Sequence, residues 1–271
     1  MGTGLTFLII PPSARRGETN KGPDPLRRPV PRARSTPARP VVLSIGGSVL
    51  TTGTDDDRYY DALATLLTRV ARETPLAVTT GGGRMAREYI RIGRALGLTE
   101  IELDEVGIEV TRLHARLLAA RLGPPTPARP PTTIADAVHE AHRVPIVVLG
   151  GTEPGHTTDG VAAMLAARLR AIRMVNATRV DGLYDRDPRK HPGAKRIDRI
   201  GWDAFRTTVH AATDSSAGQE FVFDRLGADT LARARIPLRI VDGRDLRNLE
   251  AALRGRKFTG TTVDATRAQP L

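Results

Sequence analysis

The sequence contains no cysteine, few aromatic residues and no long apolar run. The absence of cysteine excludes disulfide bonds, thiolate metal sites and a cysteine nucleophile. It is compatible with a reducing compartment, and we expect a cytoplasmic location. Aromatic residues make up only 4% of the chain, so the core must be built from Ala, Val, Leu and Ile. Apolar runs such as Pro145–Leu149 are far too short to span a bilayer, so we expect no membrane partner.

The formal charge of +11 is unevenly distributed over the 271 residues. Residues 1–40 hold eight Lys or Arg and two Asp or Glu, whereas residues 41–271 hold 33 Lys or Arg and 28 Asp or Glu. The first segment is rich in Pro and Arg and cannot bury enough apolar surface to offset its ordering entropy. Its apolar stretch Leu5–Ile10 lacks the flanks of a secretory signal. We therefore predict a disordered basic leader over 1–40 and one domain over 41–271, whose mixed charges predict no nucleic-acid partner.

Strand patterns and helical patterns alternate along the predicted domain. The strand patterns lie at Val41–Ile45, Ala77–Thr80, Pro145–Leu149, Met174–Val180 and Leu238–Val241. The helical patterns lie at Arg84–Leu96, Val110–Ala120, Thr158–Leu169, 224–235 and Leu246–Leu253. Such alternation is typical of a parallel sheet covered on both faces. We predict an α/β fold, a three-layer αβα sandwich with a mainly parallel central sheet.

Three of the predicted strands end in glycine-rich turns, at Gly46–Ser48, Gly81–Arg84 and Gly150–Thr152. In an open α/β sheet the ligand crevice lies beyond the carboxyl ends of the strands. Glycine lets the backbone approach a phosphate, and the N-terminus of the next helix offers free N–H groups. One such turn is weak evidence, since most are plain tight turns. Three of them indicate several phosphates in one crevice, from a nucleotide and a second phosphorylated compound.

Motifs of other nucleotide-binding classes are missing. The chain has no G-x-x-x-x-G-K-[ST], no G-x-G-x-x-G at a strand end and no protein-kinase signature. The segment Gly150–Asp159 is too long for a simple turn, and a threonine at its end can cap the next helix. Taken alone, His156 fits a structural or solvated histidine, and Asp159 fits a favourable charge in a first helical turn.

Together, the motifs resemble those of archaeal-type uridylate (UMP) kinases, within the amino-acid kinase family. The resemblance covers about 41–263 and implies transfer of the γ-phosphate of ATP to UMP. Its motifs are 42–50, 81–89, 104–112, 150–159, 176–188, 217–224 and 258–262.

The same resemblance implies roles for single residues. Gly46, Gly47 and Ser48 would hold ATP phosphates, and Gly83 and Arg87 would face ATP. Gly82 would face UMP, and Asp104 would accept hydrogen bonds from its ribose. The adenine and ribose side of the ATP pocket would be formed by Thr178, Tyr184 and Asp187. The phosphate and uracil of UMP would be wrapped by Thr152, Glu153, Pro154, Gly155, His156, Thr157 and Thr158.

One position departs from the wider fold family, because bacterial UMP kinases carry a lysine where this chain has Ser44. The candidates for positive charge on the transferred phosphoryl group are Arg84, Arg87 and Mg²⁺. An acceptor phosphate is already ionised at neutral pH, so we expect no general base. Asp159 is our candidate for orienting a phosphate-binding side chain or a metal-bound water.

The resemblance also implies a homohexamer and feedback inhibition by UTP. Two alternatives stay open. One is another kinase of this fold, such as isopentenyl phosphate kinase, which places a histidine shortly after the second glycine turn. This chain has no histidine in Arg84–Tyr89. The other is a catalytically silent nucleotide-binding protein, which an ADP-release assay would identify.

Overall fold

The protein is described by a computed structural model over residues 38–53, 55–186, 191–214 and 223–265. The strands in these residues are β1 (Val41–Ile45), β2 (Leu76–Thr80), β3 (Ile146–Leu149), β4 (Arg173–Thr178), β5 (Leu183–Tyr184), β6 (Arg196–Ile197), β7 (Arg199–Gly201), β8 (Leu238–Asp242) and β9 (Thr261–Asp264). The helices are α1 (Gly47–Leu50), α2 (Asp56–Ala71), α3 (Gly83–Ala95), α4 (Glu100–Leu122), α5 (Ile134–Ala141), α6 (Thr158–Leu169), α7 (Trp202–Asp214), α8 (Arg225–Ala234) and α9 (Leu246–Arg254).

The central sheet has the strand order β3-β2-β1-β4-β8-β9-β7. In this sheet β3, β2, β1, β4 and β8 are parallel to one another, β9 is antiparallel to β8, and β7 is parallel to β9. A separate two-stranded sheet pairs β5 with β6 in antiparallel orientation. Ile45 lies opposite both Thr80 and Ala177, so the carboxyl ends of β1, β2 and β4 are level. The predicted mainly parallel α/β fold is therefore confirmed.

Two apolar cores lie on the two faces of the sheet. Successive side chains of a strand point to opposite faces. Val42 accordingly packs in a cluster with residues of α6 and α8, while Leu43 packs in a second cluster with residues of α2, α4 and α9. Both side chains are completely buried. Helices therefore cover both faces, which gives the three predicted layers.

Helix α4 differs most from its sequence pattern. It begins ten residues before Val110, after Thr99, whose side chain forms a reciprocal capping box with Glu102. The residues of the apolar pattern do not all face one side, because Val110 is buried whereas Leu113 and Leu117 are 48% and 49% exposed. The buried face carries the polar His114 among apolar residues.

The first described residues already contact the domain. The guanidinium of Arg39 donates to the carbonyls of Arg170 and Ala171, and the carbonyl of Pro40 accepts from the N–H of Ile172. Residues 1–37 lie outside the described residues, so the leader stays a prediction. Among the described residues, no helix has both the length and the apolar character to cross a membrane.

Candidate active site

The three glycine turns lie side by side at one edge of the sheet, because β3, β2 and β1 are parallel neighbours. The first two turns interlock. A Cβ atom on Gly47 would lie 2.3 Å from the nitrogen of Gly83, and one on Gly83 would lie 2.3 Å from the carbonyl carbon of Gly47. Gly83 also has a φ of +60°, which favours glycine. No side chain fits between these backbones, so the two turns pack directly against each other.

The helices that follow these two turns begin without a side-chain cap. Gly46 and Gly82 are the N-cap residues of α1 and α3, and neither offers a side chain to the first turn. By contrast, Thr or Asp side chains cap α4, α5, α6, α8 and α9. Uncapped N–H groups and the positive end of the helix dipole favour an anion. The first two turns thus offer donors that a phosphate can use.

A partly buried carboxyl group joins the strands below these turns. Asp159, in the first turn of α6, accepts a hydrogen bond from Ser44 Oγ at 2.6 Å and one from Asn176 Nδ2 at 3.3 Å. Removal from bulk water raises the pKa of Asp159 to about 7, and the nearby charge of Asp224 adds to the rise. At neutral pH this carboxyl therefore exchanges readily between its neutral and charged forms.

The loop between β3 and α6, residues 150–157, is held from two sides. On one side, the N–H of Gly155 donates to Asp104 on α4 at 2.8 Å. On the other, Thr157 donates its hydroxyl to Asp224, which caps α8. Thr157 also accepts from the N–H of Gly160 at 3.0 Å and so begins α6. The structure thus brings the predicted ribose ligand Asp104 to this loop, which we call the acceptor loop.

Other acceptor-loop residues keep their polar atoms available. Within the described residues, the buried hydroxyl oxygen of Thr152 has no hydrogen-bond partner. His156 Nδ1 lies 3.1 Å from the carboxylate of Glu153, while Glu153 and Pro154 are exposed. The carbonyl of Thr158 accepts a long bond of 3.4 Å from Thr79 on β2. A buried hydroxyl without a protein partner fits a ligand atom at this position.

The two candidate arginines lie in the first turns of α3, and both are exposed. The Arg84 side chain lies over the loop after α1, since a Cβ on Gly53 would meet its Nη2 at 3.0 Å. Within the described part of the chain, Arg87 forms no hydrogen bond or ion pair. In the next turn, Arg91 is paired with Glu88. Arg84 and Arg87, which we call the rim arginines, are thus exposed cations in the first turns of the helix that follows the second glycine turn.

The predicted ATP side is only partly described. The carbonyl of Ala177 accepts from the N–H of Gly46 at 2.9 Å, which places Thr178 beside the first glycine turn. Tyr184 donates its hydroxyl to Asp181 at 2.7 Å, and this bond raises the pKa of Tyr184. Asp187 lies outside the described residues. The assignments of single residues to ATP and UMP stay predictions.

Several polar residues that hold these turns were not among the predicted site residues. They are Thr111, Arg112 and His114 on α4, Asn176 on β4 and Asp224 before α8. Thr111, His114 and Asn176 are buried polar side chains, which seldom occur without a bonding partner, whereas Arg112 and Asp224 are only partly buried.

Comparison with known proteins gives a consistent result. Residues 39–242 match the amino acid kinase family. A uridylate kinase of Thermoplasma acidophilum is 43% identical over 226 residues, covering 83% of this chain and 96% of the relative. A uridylate kinase of Methanococcoides burtonii is 40% identical over 228 residues, covering 82% of this chain and 97% of the relative.

Solved structures agree with this match. The crystal structure of uridylate kinase from Archaeoglobus fulgidus superposes with a TM-score of 0.73 at 35% identity, covering 83% of this chain and 99% of that one. A UMP kinase from Bacillus anthracis superposes with a TM-score of 0.69 at 18% identity, which shows the shared fold alone. The match over most of the chain and the interlocked glycine turns lead to one assignment: the chain belongs to the amino acid kinase family, among relatives that are archaeal uridylate kinases.

Proposed function

We propose that this protein transfers the γ-phosphate of ATP to UMP, giving ADP and UDP. The observation that carries the proposal is the contact between Gly47 and Gly83, which packs the first two glycine turns together at the carboxyl ends of β1 and β2. The acceptor loop follows the neighbouring strand β3. Two phosphorylated substrates can therefore meet there, and relatives that align with most of this chain are uridylate kinases.

The chemistry needs positioning and charge neutralisation more than covalent help from the protein. The attacking atom is an oxygen of the UMP phosphate, which is ionised at neutral pH and needs no general base. Backbone N–H groups of the glycine turns and the exposed guanidiniums of Arg84 and Arg87 would stabilise the charge on the transferred group. Ser44 carries no charge, so cations must reach the phosphates from the rim.

Mg²⁺ bound with ATP would add Lewis-acid neutralisation of the phosphate charge. Within the described residues, no group of three His, Cys, Asp or Glu side chains is placed to hold a metal ion. Mg²⁺ usually binds through one or two carboxylates together with substrate phosphates and water. Asp159 is a single carboxylate below the turns, and it fits the role of orienting water around such an ion.

Recognition of UMP would come from the acceptor loop and from α4. The N–H of Gly155 occupies only part of the acceptor capacity of the Asp104 carboxylate, which can therefore also accept hydrogen bonds from ribose hydroxyls. The free hydroxyl of Thr152 is placed to bind a polar atom of the nucleotide. Isopentenyl phosphate offers neither ribose nor base to these groups, so we expect it to be a poor acceptor.

A coupled assay of ADP release tests the proposal. The protein, ATP and Mg²⁺ are incubated with UMP, CMP or isopentenyl phosphate. We expect turnover with UMP to exceed turnover with the other two acceptors by at least about tenfold in kcat/KM. Turnover with another acceptor alone, or no turnover with any, would refute the proposal.

We also propose a homohexamer and inhibition by UTP. An apolar stripe on α3 supports self-association, since Met85, Tyr89, Ile92 and Leu96 are between 38% and 74% exposed. UTP shares the uridine of UMP and carries a triphosphate, so it should compete with UMP. Initial rates at varied UMP and UTP test the inhibition.

A further inference from the structure

Consecutive side chains of α4 bind both backbone polar groups of Gly151, the second residue of the acceptor loop. The N–H of Gly151 donates to Thr111 Oγ1 at 2.6 Å, and its carbonyl accepts from Arg112 Nε at 3.2 Å. Arg112 also donates to the carbonyl of Thr152 at 3.1 Å and is held by Glu109 at 2.7 Å. A planar guanidinium with several fixed donors suits this task. The start of the loop is thereby fixed in direction as well as position.

One turn of helix further on, His114 binds the second glycine turn. Its Nδ1 lies 2.7 Å from the carbonyl of Gly81, and the side chain is almost wholly buried. A carbonyl only accepts, so Nδ1 carries the hydrogen. Nε2 has no hydrogen-bond partner among the described residues. Burial lowers the pKa of His114, which keeps the ring neutral.

The backbone of α4 also limits how close the acceptor loop can come. A Cβ on Gly150 would lie 2.6 Å from the nitrogen of Arg112, whereas one on Gly82 would lie at an ordinary contact distance of 3.4 Å from the methyl carbon of Thr111. Gly150 and Gly82 therefore both lie beside the same few residues of one helix. A shift of this part of α4 would move the acceptor loop relative to the turn that meets ATP.

We propose that the segment Thr111–His114, which we call the α4 template, contains positioning residues for phosphoryl transfer. Arg112 and Thr111 place the acceptor loop, and His114 places the second glycine turn. The proposal rests on the proposed kinase function. In-line transfer is sensitive to distance, and a misplacement of about 1 Å can cost roughly 100-fold in rate.

Arg112→Ala tests the acceptor side, with Arg116→Ala as the matched control. Arg116 is exposed one turn further along the same helix. Without the guanidinium the carbonyls of Gly151 and Thr152 lose their donors. We expect the KM for UMP to rise about tenfold with less than about a twofold change in the KM for ATP. Arg112→Lys should not restore the wild-type KM, since an ammonium lacks the planar fork. Equal changes in both KM values, or none, would overturn this assignment.

His114→Leu and His114→Asn test the second turn. Leucine fills the site without a donor, whereas the amide nitrogen of asparagine can take the place of Nδ1. We expect kcat to fall about tenfold or more in the leucine variant and to recover to within about threefold in the asparagine variant. Fluorescence of the single Trp202 reports folding of each variant. A folded leucine variant with normal kcat would overturn the role of His114.

Hydrogen exchange separates failure of this inference from failure of the proposed function. Peptides covering residues 150–157 are followed by mass spectrometry without substrate. Arg112→Ala should exchange faster there than the wild type and Arg116→Ala, even if UMP is not the acceptor. Unchanged exchange together with an unchanged KM for UMP would refute the α4 template, whereas absent UMP turnover in the wild type would refute only the kinase assignment.

Discussion

Ser44 Oγ donates a hydrogen bond to Asp159 Oδ1 across 2.6 Å, joining β1 to the first turn of α6. The neutral hydroxyl of Ser44 forms a hydrogen bond with the carboxyl group but supplies no positive charge to balance its negative charge. Burial consequently raises the pKa of Asp159 from 3.8 to about 7. One pKa unit corresponds to about 1.4 kcal/mol, so ionised Asp159 costs at most on the order of 4 kcal/mol of folding stability. The site keeps this group in place despite the cost, which fits a role in function.

Asp159→Asn should therefore stabilise the protein in a pH-dependent way. Because the pKa is higher in the folded state, the wild type is favoured at low pH and loses stability as pH rises from 3.8 to about 7. The asparagine variant does not titrate. Its advantage in unfolding free energy should grow between pH 5 and pH 7 and stay constant above. Denaturant titrations followed by Trp202 fluorescence measure this, and a pH-independent difference would contradict it.

The rim arginines should carry the charge that Ser44 lacks. Arg87 forms no ion pair in the described residues, and the resemblance to the family predicts that it faces ATP. We expect Arg87→Ala to lower kcat/KM by roughly 100-fold or more, about 2.7 kcal/mol, with folding intact. Arg84→Ala should cost less. Arg91→Ala is the control, because Arg91 is paired with Glu88. Near-normal turnover without Arg87 would contradict this role and would leave Mg²⁺ and backbone N–H donors to stabilise the transferred phosphoryl group.

The sequence predicted the fold well where a single local signal, such as an apolar run or a helix cap, determines the element. Val41–Ile45 and Thr158–Leu169 have the predicted bounds, because the buried strand is apolar except at Ser44 and a threonine marks the start of the helix. The helical pattern at Val110–Ala120 found only part of α4, which begins at Glu100, because its first turns are rich in charged residues. The glycine turns were predicted as local motifs. Their contact with Arg112 and His114 depends on tertiary packing, which no local pattern contains.

Asp104 should determine affinity for UMP and not for ATP. Its carboxylate accepts the N–H of Gly155 and faces the acceptor loop. Asp104→Asn keeps the shape but weakens hydrogen bonds to a charged group, which are worth about 1.5–3 kcal/mol. The KM for UMP should rise at least several-fold while the KM for ATP stays nearly constant. Steady-state kinetics with each substrate varied provide the measurement, and equal effects would count against the assignment.

Truncation of the N-terminus should show a sharp boundary at Arg39. Deleting residues 1–38 keeps the bonds of Arg39 to Arg170 and Ala171. Melting temperature and kinase activity should then stay close to those of the full chain. Deleting 1–40 also removes the acceptor for the N–H of Ile172, so the melting temperature should fall by a few degrees. A large loss of melting temperature or activity after deletion of residues 1–38 would show that the leader stabilises the domain.

The apolar stripe of α3 should hold the homo-oligomer together. Tyr89 and Leu96 are 51% and 74% exposed and are spaced seven residues apart, which places them on one helix face. Light scattering should give the wild type a mass near six times the 29.3 kDa of the chain. Tyr89→Glu with Leu96→Glu puts charges into that contact and should lower the mass, because an unpaired charge is costly to bury. Arg91→Ala, on the charged side of α3, should leave the mass unchanged. A wild-type monomer, or a mass unaffected by the double substitution, would show that this stripe is not the subunit contact.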